Sequence, residues 1–468
     1  MTITYDSLLS QITTPDGRDI YDPATGELVG KAPFSTVEVL DDAIARAQAA
    51  QPEWASRSDA ERSTLLLRAA DAVDAAAEPL AELLSREQGK PLEGPNARFE
   101  VGACADWLRA TATTELPDHT LLDDGETHAA IHYRPLGVVG AIGPWNWPMM
   151  ISIWQIAPSL RMGNTVVVKP SEYTPLSVLA LATVLNTVLP DDVLHVVAGE
   201  GDLGARLSSH PDIAKLMFTG STRTGQAIIK NSADSVKRLT LELGGNDAGI
   251  VLPDVDPKAI AQDLFWGAFI NTGQTCAALK RLYVHTDVYD AVCRELVAVV
   301  DATPMGRGLD EKNLLGPLQN QAQFDIVADL VDKARSSGAT LLTGGAPDAD
   351  ATGFFYPATL VSDIDNTNPL VTEEQFGPAL PIVRFETVDE AVEMANGLDV
   401  GLGASVWSAD HDAARGVAAR IQAGTVWINS HGGVHPMIPF GGVKKSGYGL
   451  EFGVEGLKAV SAPQVING

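Results

Sequence analysis

The chain has 468 residues, of which 45% are hydrophobic and 20% charged, and this composition is typical of a globular protein with two or three domains. Its 33 basic and 60 acidic residues give a net charge of −27, and a surface of that sign repels phosphate backbones and anionic lipids. The composition therefore argues against nucleic acid and membrane partners. The N-terminal residues lack a secretory leader pattern, and no apolar run is long enough to cross a bilayer.

The cysteines indicate a reducing compartment. The chain has 3 of them, Cys104, Cys276 and Cys293, and they show neither Cys-x-x-Cys nor Cys/His spacing. An odd number without such spacing argues against a disulfide framework and against a zinc site. We therefore predict a cytoplasmic protein without a metal centre.

The N-terminal part of the chain predicts helices at 37–50 and 60–78, where apolar residues recur at helical spacing. From about residue 131, short β-rich runs alternate with helical stretches, which predicts an α/β domain with a parallel sheet. Its predicted elements are strands at 138–142, 165–168, 193–197 and 215–218, and a helix at 176–189. A second α/β domain is predicted from strands at 248–252, 282–284, 380–383 and 425–428. The Gly-Gly pair at 244–245 marks the predicted boundary between the two domains.

One thiol lies in an unusual sequence context. Cys276, in Asn271-Thr-Gly-Gln-Thr-Cys-Ala-Ala, follows an apolar run and precedes the strand-like segment 281–285, so we predict that it lies on a turn. Turns often carry catalytic groups, whereas a structural cysteine usually lies within an apolar run. By itself, this position fits either a nucleophile or a partly buried free thiol.

Three polar or glycine-rich segments follow predicted strands, at the edge where α/β sheets bind ligands. Gly199-Glu-Gly-Asp-Leu-Gly204 has dinucleotide-binding spacing, but no acidic residue ends the next strand, so we do not assign the pyrophosphate to it. In Lys169-Pro-Ser-Glu-Tyr-Thr-Pro175, Lys169 and Glu172 suit the hydroxyls of an adenosine ribose, or else the segment forms an exposed turn with a solvated ion pair. Phe218-Thr-Gly-Ser-Thr-Arg-Thr-Gly225 suits a phosphate, or else only caps a helix.

Seven motifs, taken in order, resemble those of the aldehyde dehydrogenase superfamily. They are Pro144-Trp-Asn-Trp-Pro148, Lys169-Pro-Ser-Glu172, Phe218-Thr-Gly-Ser-Thr222, Leu241-Glu-Leu-Gly-Gly245, Gly273-Gln-Thr-Cys276, Glu373-Glu-Gln-Phe-Gly-Pro378 and Pro439-Phe-Gly-Gly-Val-Lys-Lys-Ser-Gly447. The resemblance extends from residue 21 nearly to the C-terminus. Each motif is moderately specific by itself, and the seven together are strongly so.

The resemblance implies an α/β fold with three parts. A Rossmann-like cofactor-binding domain comprises 1–112 and 136–244, and an α/β catalytic domain comprises 245–445. A small β oligomerisation arm and the C-terminal tail comprise 113–135 and 446–468. Because an exposed β arm leaves strand edges unpaired, we expect it to pair with another subunit in a homodimer or a homotetramer.

The resemblance also assigns catalytic roles. Cys276 corresponds to the nucleophile that attacks the aldehyde carbon. Asn146 and the backbone N–H of Cys276 correspond to the oxyanion donors, and Glu242 corresponds to the general base for the hydrolytic water. Taken singly, Asn146 also fits a turn and Glu242 a solvated strand end. Glu451 matches a position that can assist proton movement, although a solvated glutamate is the simpler interpretation, and Arg161 receives no catalytic role.

The implied cofactor is NAD, with NADP as the alternative. Glu172 can accept hydrogen bonds from a ribose 2′-hydroxyl and would repel a 2′-phosphate, so we predict a preference for NAD. Gly201 and Gly204 are expected on the adenine side and Glu374 on the nicotinamide ribose. The residues matched to cofactor-binding positions are Ile142, Gly143, Trp145, Lys169, Ser171, Glu172, Gly201, Gly204, Phe218, Gly220, Ser221, Leu243, Gly244, Glu374 and Phe376.

The residues matched to the substrate tunnel are mostly large and apolar, and none is a cation. They are Trp147, Met150, Trp154, Ile270, Thr275, Val434 and Phe440. We therefore predict an aromatic or medium-chain aliphatic aldehyde as the substrate. A charged semialdehyde stays open if Arg161, His431 or His435 reaches the tunnel mouth. The sequence also leaves open a CoA-acylating dehydrogenase, a thiol esterase and a non-enzymatic scaffold.

Overall fold

The computed structural model describes residues 3–348 and 350–468, and it confirms the predicted α/β class. The helices are α1 (Tyr5–Ile12), α2 (Val37–Ser56), α3 (Asp59–Ala75), α4 (Ala77–Gln88), α5 (Ala97–Thr113), α6 (Pro148–Arg161), α7 (Pro175–Leu185), α8 (Gly201–Ser209), α9 (Thr222–Ser232), α10 (Pro257–Phe269), α11 (Tyr289–Ala302), α12 (Gln321–Ser336), α13 (Pro369–Thr372), α14 (Val388–Asn396), α15 (His411–Ala418) and α16 (Gly453–Ala459). The strands are β1 (Arg18–Tyr21), β2 (Leu28–Ala32), β3 (His119–Asp123), β4 (His128–Pro135), β5 (Val138–Ile142), β6 (Thr165–Lys169), β7 (Leu194–Val196), β8 (Ile213–Thr219), β9 (Arg238–Glu242), β10 (Asp247–Val251), β11 (Leu279–His285), β12 (Thr340–Thr343), β13 (Thr359–Ser362), β14 (Ala379–Phe385), β15 (Val400–Gly401), β16 (Gly403–Trp407), β17 (Thr425–Ile428), β18 (Val443–Lys444), β19 (Gly447–Tyr448) and β20 (Ser461–Asn467).

The first large sheet has six strands in the order β19-β9-β8-β5-β6-β7. Strands β5 to β9 pair in parallel, and β19 is added antiparallel to β9 at the edge. Every residue of β5 and β6 is buried, which is the pattern of a parallel sheet covered on both faces. Because the strands are parallel, the carboxyl ends of β5, β6, β8 and β9 lie along one edge.

The second large sheet has seven strands in the order β12-β13-β14-β11-β10-β16-β17. Its strands pair in parallel except for β12, which is antiparallel to β13. The four strands predicted for a second α/β domain all lie in it. Two apolar clusters cover its faces, one with helices α12 and α14 and the other with α10 and α11.

A three-stranded antiparallel sheet, in the order β20-β4-β3, stands apart from both. Apolar side chains of its outer strands are exposed, with Leu121 at 53%, Val465 at 57% and Ile466 at 51%. The C-terminal segment divides between two locations, because β19 extends the six-stranded sheet and α16 contacts α6, whereas only β20 joins this small sheet. The sequence analysis grouped β19, α16 and β20 together, as residues 446–468 of the oligomerisation arm and C-terminal tail.

Helix bounds differ from the predicted ones in three places. The segment predicted as one helix at 60–78 forms α3 and α4, because Ala76 between them has φ −109° and ψ 12°. The helix predicted at 37–50 continues to Ser56 as α2 despite Pro52, and the one predicted at 176–189 ends at Leu185 as α7. In the described ranges, every helix is too short or too polar to pass through a lipid bilayer.

Candidate active site

A single cleft follows the carboxyl edge of the six-stranded sheet and reaches Cys276. Its volume of about 650 Å³ is in the range of cofactor and ligand sites. Every residue matched to a cofactor position lines it, as do Asn146, Glu242 and Cys276. Asn231, Gln323 and Ile326 also line the cleft, and the sequence did not single them out because they lie on helices outside the motifs. Tyr173, Arg223 and Thr224 line it as well, within the two polar segments that follow β6 and β8.

Glycines keep this cleft open where the backbone lines it. A Cβ at Gly244 would lie 2.5 Å from Glu374 Oε2, so a side chain at this position would displace the Glu374 carboxylate. A Cβ at Gly201 would meet nothing within 4 Å, which leaves room for a ligand at the start of α8. Both observations fit a bound dinucleotide.

The Lys169 side chain is buried, so its interpretation as part of an exposed, solvated turn is wrong. Lys169 is 4% exposed at the end of β6, and its Nζ lies 3.5 Å from Glu172 Oε2. Burial lowers the pKa of Lys169, and the neighbouring Glu172 partly offsets that effect. The buried ammonium group of Lys169 and the partly exposed carboxylate of Glu172 both line the cleft.

Cys276 lies on a turn between α10 and β11, as predicted. Directly before it, Asn271 and Thr272 have positive φ angles of 50° and 56°. These strained residues are held by hydrogen bonds, since Asn271 Nδ2 donates to Asn146 O at 2.9 Å and Gln274 Nε2 donates to Asn271 O at 3.1 Å. The turn is therefore held in place by buried side chains.

Asn146 lies against this turn. It is 2% exposed, and its Nδ2 donates one hydrogen bond to Gln274 O at 2.9 Å, which leaves the second N–H of the amide free. In the described part of the chain, no acceptor pairs with the backbone N–H of Cys276. Two donors are thus available beside the thiol, as an oxyanion site requires.

Glu242 and Glu451 are both buried, so the solvated interpretation of either carboxylate is wrong. Glu242 ends β9 at 4% exposure, and Glu451 is 2% exposed. Neither oxygen of either side chain has a hydrogen-bond partner among residues 3–348 and 350–468. Burial, and then the charge of Glu451, raises the pKa of Glu242 well above its usual value. Burial raises the pKa of Glu451 to about 8, although Lys215 opposes the shift.

The thiol of Cys276 is protonated in this structure near neutral pH. Burial raises its pKa to about 12, and Lys280 is the one neighbour that lowers it. The carboxyl groups of Glu242, Asp247 and Glu374 raise the pKa further. The cleft therefore brings together a thiol and a carboxyl group whose pKa values are both raised by burial, and the amide of Asn146.

Most of the residues matched to the tunnel share one apolar cluster with Cys276. Trp147, Met150, Trp154 and Phe440 belong to one apolar cluster against which Ile270, Val434 and Cys276 pack. Trp147 Nε1 also donates to Thr275 Oγ1 at 2.9 Å. Phe452 belongs to the same cluster, with its ring centroid 4.7 Å from that of Trp154. The sequence did not indicate Phe452, because Phe452 and Trp154 are far apart in the chain and meet only in the folded structure.

Two of the three side chains considered for an acidic substrate, Arg161 and His431, are not available to it as cations. Arg161 is 3% exposed and forms an ion pair with Asp59, so it does not reach the tunnel mouth. The His431 side chain is buried, with Nδ1 at 2.9 Å from Ser405 Oγ, and burial lowers its pKa to about 3. His435 is exposed, and its Nδ1 accepts a hydrogen bond from the Met437 N–H at 3.2 Å.

Fold and cleft together define a two-sheet α/β protein in which a partly buried thiol lines a cleft large enough for a dinucleotide. The model of the aldehyde dehydrogenase family matches residues 12–466. Aldehyde dehydrogenase LUC3 of Fusarium sp is 41% identical over 437 residues, with 93% of this chain and 92% of that protein covered. Phenylacetaldehyde dehydrogenase of Pseudomonas fluorescens is 38% identical over 453 residues, with 94% and 90% covered.

A solved structure shares the fold closely. PnpE of Pseudomonas sp. WBC-3, in complex with nicotinamide adenine dinucleotide, superimposes with a TM-score of 0.93 at 35% identity, over 96% of this chain and 93% of that one. The chain belongs to the aldehyde dehydrogenase family. It is an oxidoreductase, and the members of this family act on aldehydes.

Proposed function

We propose that this enzyme oxidises an apolar aldehyde to the carboxylic acid with NAD, through a thioester on Cys276. The observation that carries the proposal is that Cys276, Asn146 and Glu242 line one cleft together with the cofactor-matched residues. The name of the Pseudomonas fluorescens relative, which specifies an aromatic aldehyde, and the NAD complex of PnpE add support.

The residues of the cleft suit NAD. Glu172 and Lys169 would hold the adenosine ribose, and Glu374 would accept hydrogen bonds from the nicotinamide ribose. The Glu172 carboxylate would repel a 2′-phosphate, which favours NAD over NADP. When bound, NAD supplies the acceptor for the hydride that leaves the substrate carbon.

The first half of the reaction makes the thioester. The Cys276 thiolate adds to the aldehyde carbon, and the carbonyl π electrons move to oxygen. Asn146 Nδ2–H and the Cys276 N–H donate hydrogen bonds to that oxyanion. When the C=O bond re-forms, the hydrogen on the carbon leaves with its electron pair, and the carbon stays bound to Sγ as a thioester.

The second half releases the acid. Glu242, once ionised, takes a proton from water, and the water oxygen attacks the thioester carbon. The C–S bond breaks, the acid leaves, and the thiolate is regenerated. Because transfer to CoA needs no base for water, the presence of Glu242 supports hydrolysis over a CoA-acylating reaction.

The environment of the tunnel supports an apolar substrate. Burying an apolar chain or ring against Trp147, Trp154 and Phe440 stabilises the complex by about 25 cal/mol per Å². Of the side chains considered as partners for a distal carboxylate, Arg161 pairs with Asp59 and His431 is neutral, so neither would offset its charge.

We also infer a cytoplasmic homodimer or homotetramer. Three free cysteines are compatible with a reducing compartment. The exposed apolar residues on β3 and β20 support pairing of the three-stranded sheet with another subunit.

The active-site assignment is tested by NADH formation, followed by absorbance, in the wild type and two variants. Cys276→Ala should abolish oxidation because it removes the nucleophile. Glu242→Gln should give a burst of NADH and then stall, because the thioester forms and is not hydrolysed. Full steady turnover by Glu242→Gln would contradict the role of Glu242. A wild type that forms no NADH with any of a panel of aldehydes would contradict the proposed function.

Substrate class is tested by kcat/KM for benzaldehyde and hexanal against succinic semialdehyde. We expect the apolar aldehydes to be preferred by about tenfold or more, which corresponds to about 1.4 kcal/mol in transition-state stabilisation. A preference of that size for succinic semialdehyde would show that a cation reaches the tunnel and would refute the proposed class.

A further inference from the structure

Lys280 is a buried cation directly behind the nucleophile. It is the second residue of β11, 2% exposed, and its Nζ donates to Thr275 O at 2.8 Å and to Cys276 O at 2.5 Å. The side chain thus closes the turn that carries the thiol, using two carbonyl oxygens of that turn as acceptors. None of the seven family-like motifs contains it.

The same ammonium group contacts the cofactor side of the cleft. Nζ lies 3.4 Å from Glu374 Oε1, which also accepts a hydrogen bond from the Gly245 N–H at 3.2 Å. Burial raises the pKa of Glu374, and Lys280 is the first neighbour that opposes this shift and favours the carboxylate. A single ammonium therefore contacts both the nucleophile turn and the carboxylate expected to bind the nicotinamide ribose.

Lys280 is also the one cation among the charged groups that act on the thiol. The others are carboxyl groups from three different segments, Glu242 at the end of β9, Asp247 at the start of β10, and Glu374 before β14. His431, beside Asp247, is neutral because burial lowers its pKa to about 3. Without the ammonium, every charged group that acts on the thiol would oppose the thiolate.

We propose that Lys280 is a positioning residue that couples the nucleophile turn to Glu374, so that thiol reactivity and affinity for NAD depend on the same ammonium group. The coupling to NAD rests on the proposed function, because it assumes that Glu374 binds the nicotinamide ribose. The effect on the thiol does not, since it follows from the contacts of Lys280 with residues 275 and 276.

Lys280→Met is the main test, because methionine has a similar length and lacks both the charge and the donors. Thiol reactivity is read from the rate of alkylation by iodoacetamide across a pH series, without any turnover. Cys104 and Cys293 are buried at 0% and 6% exposure, so they should label slowly, and Cys276→Ala measures their contribution. Affinity for NAD is measured by calorimetry on the same preparations.

Two control variants distinguish the effect of the Lys280 charge from the effect of disrupting the fold. Lys280→Arg keeps the positive charge and donors. Lys237→Met removes another buried ammonium, which donates to His210 O at 2.7 Å and lies outside the cleft. We expect Lys280→Met to be alkylated about tenfold more slowly near neutral pH and to bind NAD more weakly, with substantial recovery in Lys280→Arg. Lys237→Met should match the wild type in both measurements.

Two results would overturn the proposal: alkylation of Lys280→Met at the wild-type rate, or slower alkylation with unchanged affinity for NAD. If the wild type itself bound no NAD, the proposed function would fail, and the alkylation rates would still decide the effect of Lys280 on the thiol. If Lys280→Met did not fold, Glu374→Gln would serve in its place. Removing that carboxylate should speed alkylation and weaken NAD binding, and unchanged or slower alkylation would refute the proposal.

Discussion

At the scale of single residues, burial controls the protonation of the reacting groups. The thiol of Cys276 and the carboxyl of Glu242 both have raised pKa values, and the largest cause in each case is loss of water. In the proposed mechanism both act in their deprotonated forms, Cys276 as nucleophile and Glu242 as base. A thiol with a raised pKa forms less thiolate, so it is less open to adventitious alkylation or oxidation.

This burial predicts an alkaline pH optimum. Because both groups must lose a proton, kcat/KM for an uncharged aldehyde should rise continuously from about pH 6 to about pH 9. The measurement is a set of initial rates over that range, at substrate concentrations well below KM. A rate that is flat or falls above neutral pH would contradict protonated resting forms of Cys276 and Glu242.

The free energy of unfolding should fall over the pH range in which the rate rises. Unfolding therefore has to be measured alongside activity. Burial raises the pKa of Glu87 and of Asp247 to about 7 and that of Glu451 to about 8. A carboxyl whose pKa is higher in the folded state stabilises the fold below its unfolded pKa, and this contribution is lost as pH rises through the folded value. Circular dichroism at each pH distinguishes a loss of activity caused by unfolding from one caused by a change in protonation at the active site.

At the scale of elements, a buried ion pair joins α5 to the loop before α6. Lys90 and Glu100 have fully buried side chains, with Nζ 2.6 Å from Oε2. Lys90 Nζ also donates to Asn146 O at 2.8 Å, and Glu100 Oε1 accepts from the N–H groups of Met149 and Met150 at the start of α6. The pair thus holds the segment that carries Asn146 and accepts hydrogen bonds from the first donors of α6.

Breaking this pair should be more costly than removing both charges. Lys90→Met leaves Glu100 buried without its cation, at a cost of about 3 to 5 kcal/mol, whereas Lys90→Met combined with Glu100→Gln leaves no unpaired charge. We therefore expect a higher melting temperature for the double variant than for Lys90→Met, compared at one scan rate. The single variant Glu100→Gln completes the comparison. If the loss of stability in the double variant equals the sum of the losses in the two single variants, the residues are not coupled.

At the scale of the whole molecule, the site lies where two sheets present opposite ends. The carboxyl ends of β5, β6, β8 and β9 line the cofactor cleft, while the amino ends of β10 and β11 begin at Asp247 and Leu279, beside the nucleophile turn. The residues proposed to be catalytic are thus assembled from both halves of the chain. This arrangement explains why the cleft residues are spread from Ile142 to Phe376.

Association of subunits should depend on the three-stranded sheet. Leu121 and Val465 are exposed on its outer strands, so Leu121→Lys with Val465→Lys should shift sedimentation from a dimer or tetramer to a monomer. Val236→Lys, at an apolar residue that is 86% exposed and outside this sheet, is the matched control. Because each subunit carries a net charge of −27, the assembly should also weaken at low ionic strength. A stable, active wild-type monomer would refute the predicted assembly.

The amino-acid sequence determined the features that are local along the chain. Alternation of β-rich and helical segments predicted the α/β class, and the strand at Val138–Ile142 has the predicted bounds. The motifs around Cys276, Asn146 and Glu242 indicated the family, because each motif is a short run of residues that needs no knowledge of the fold. Helix ends were predicted less well, as at Ala76, because small changes in backbone angle leave little trace in the residue pattern.

Tertiary structure decided which side chains meet and which of them lose water. The residue pattern favours a solvated Glu451 and allows Arg161 to reach the tunnel, whereas Glu451 lies buried near Glu242 and Arg161 is paired with Asp59. The contact of Lys280 with Glu374 could likewise not be predicted from the sequence, since the two residues are far apart in the chain. Burial and charge pairing depend on how separate elements pack, and spacing along one segment does not contain that information.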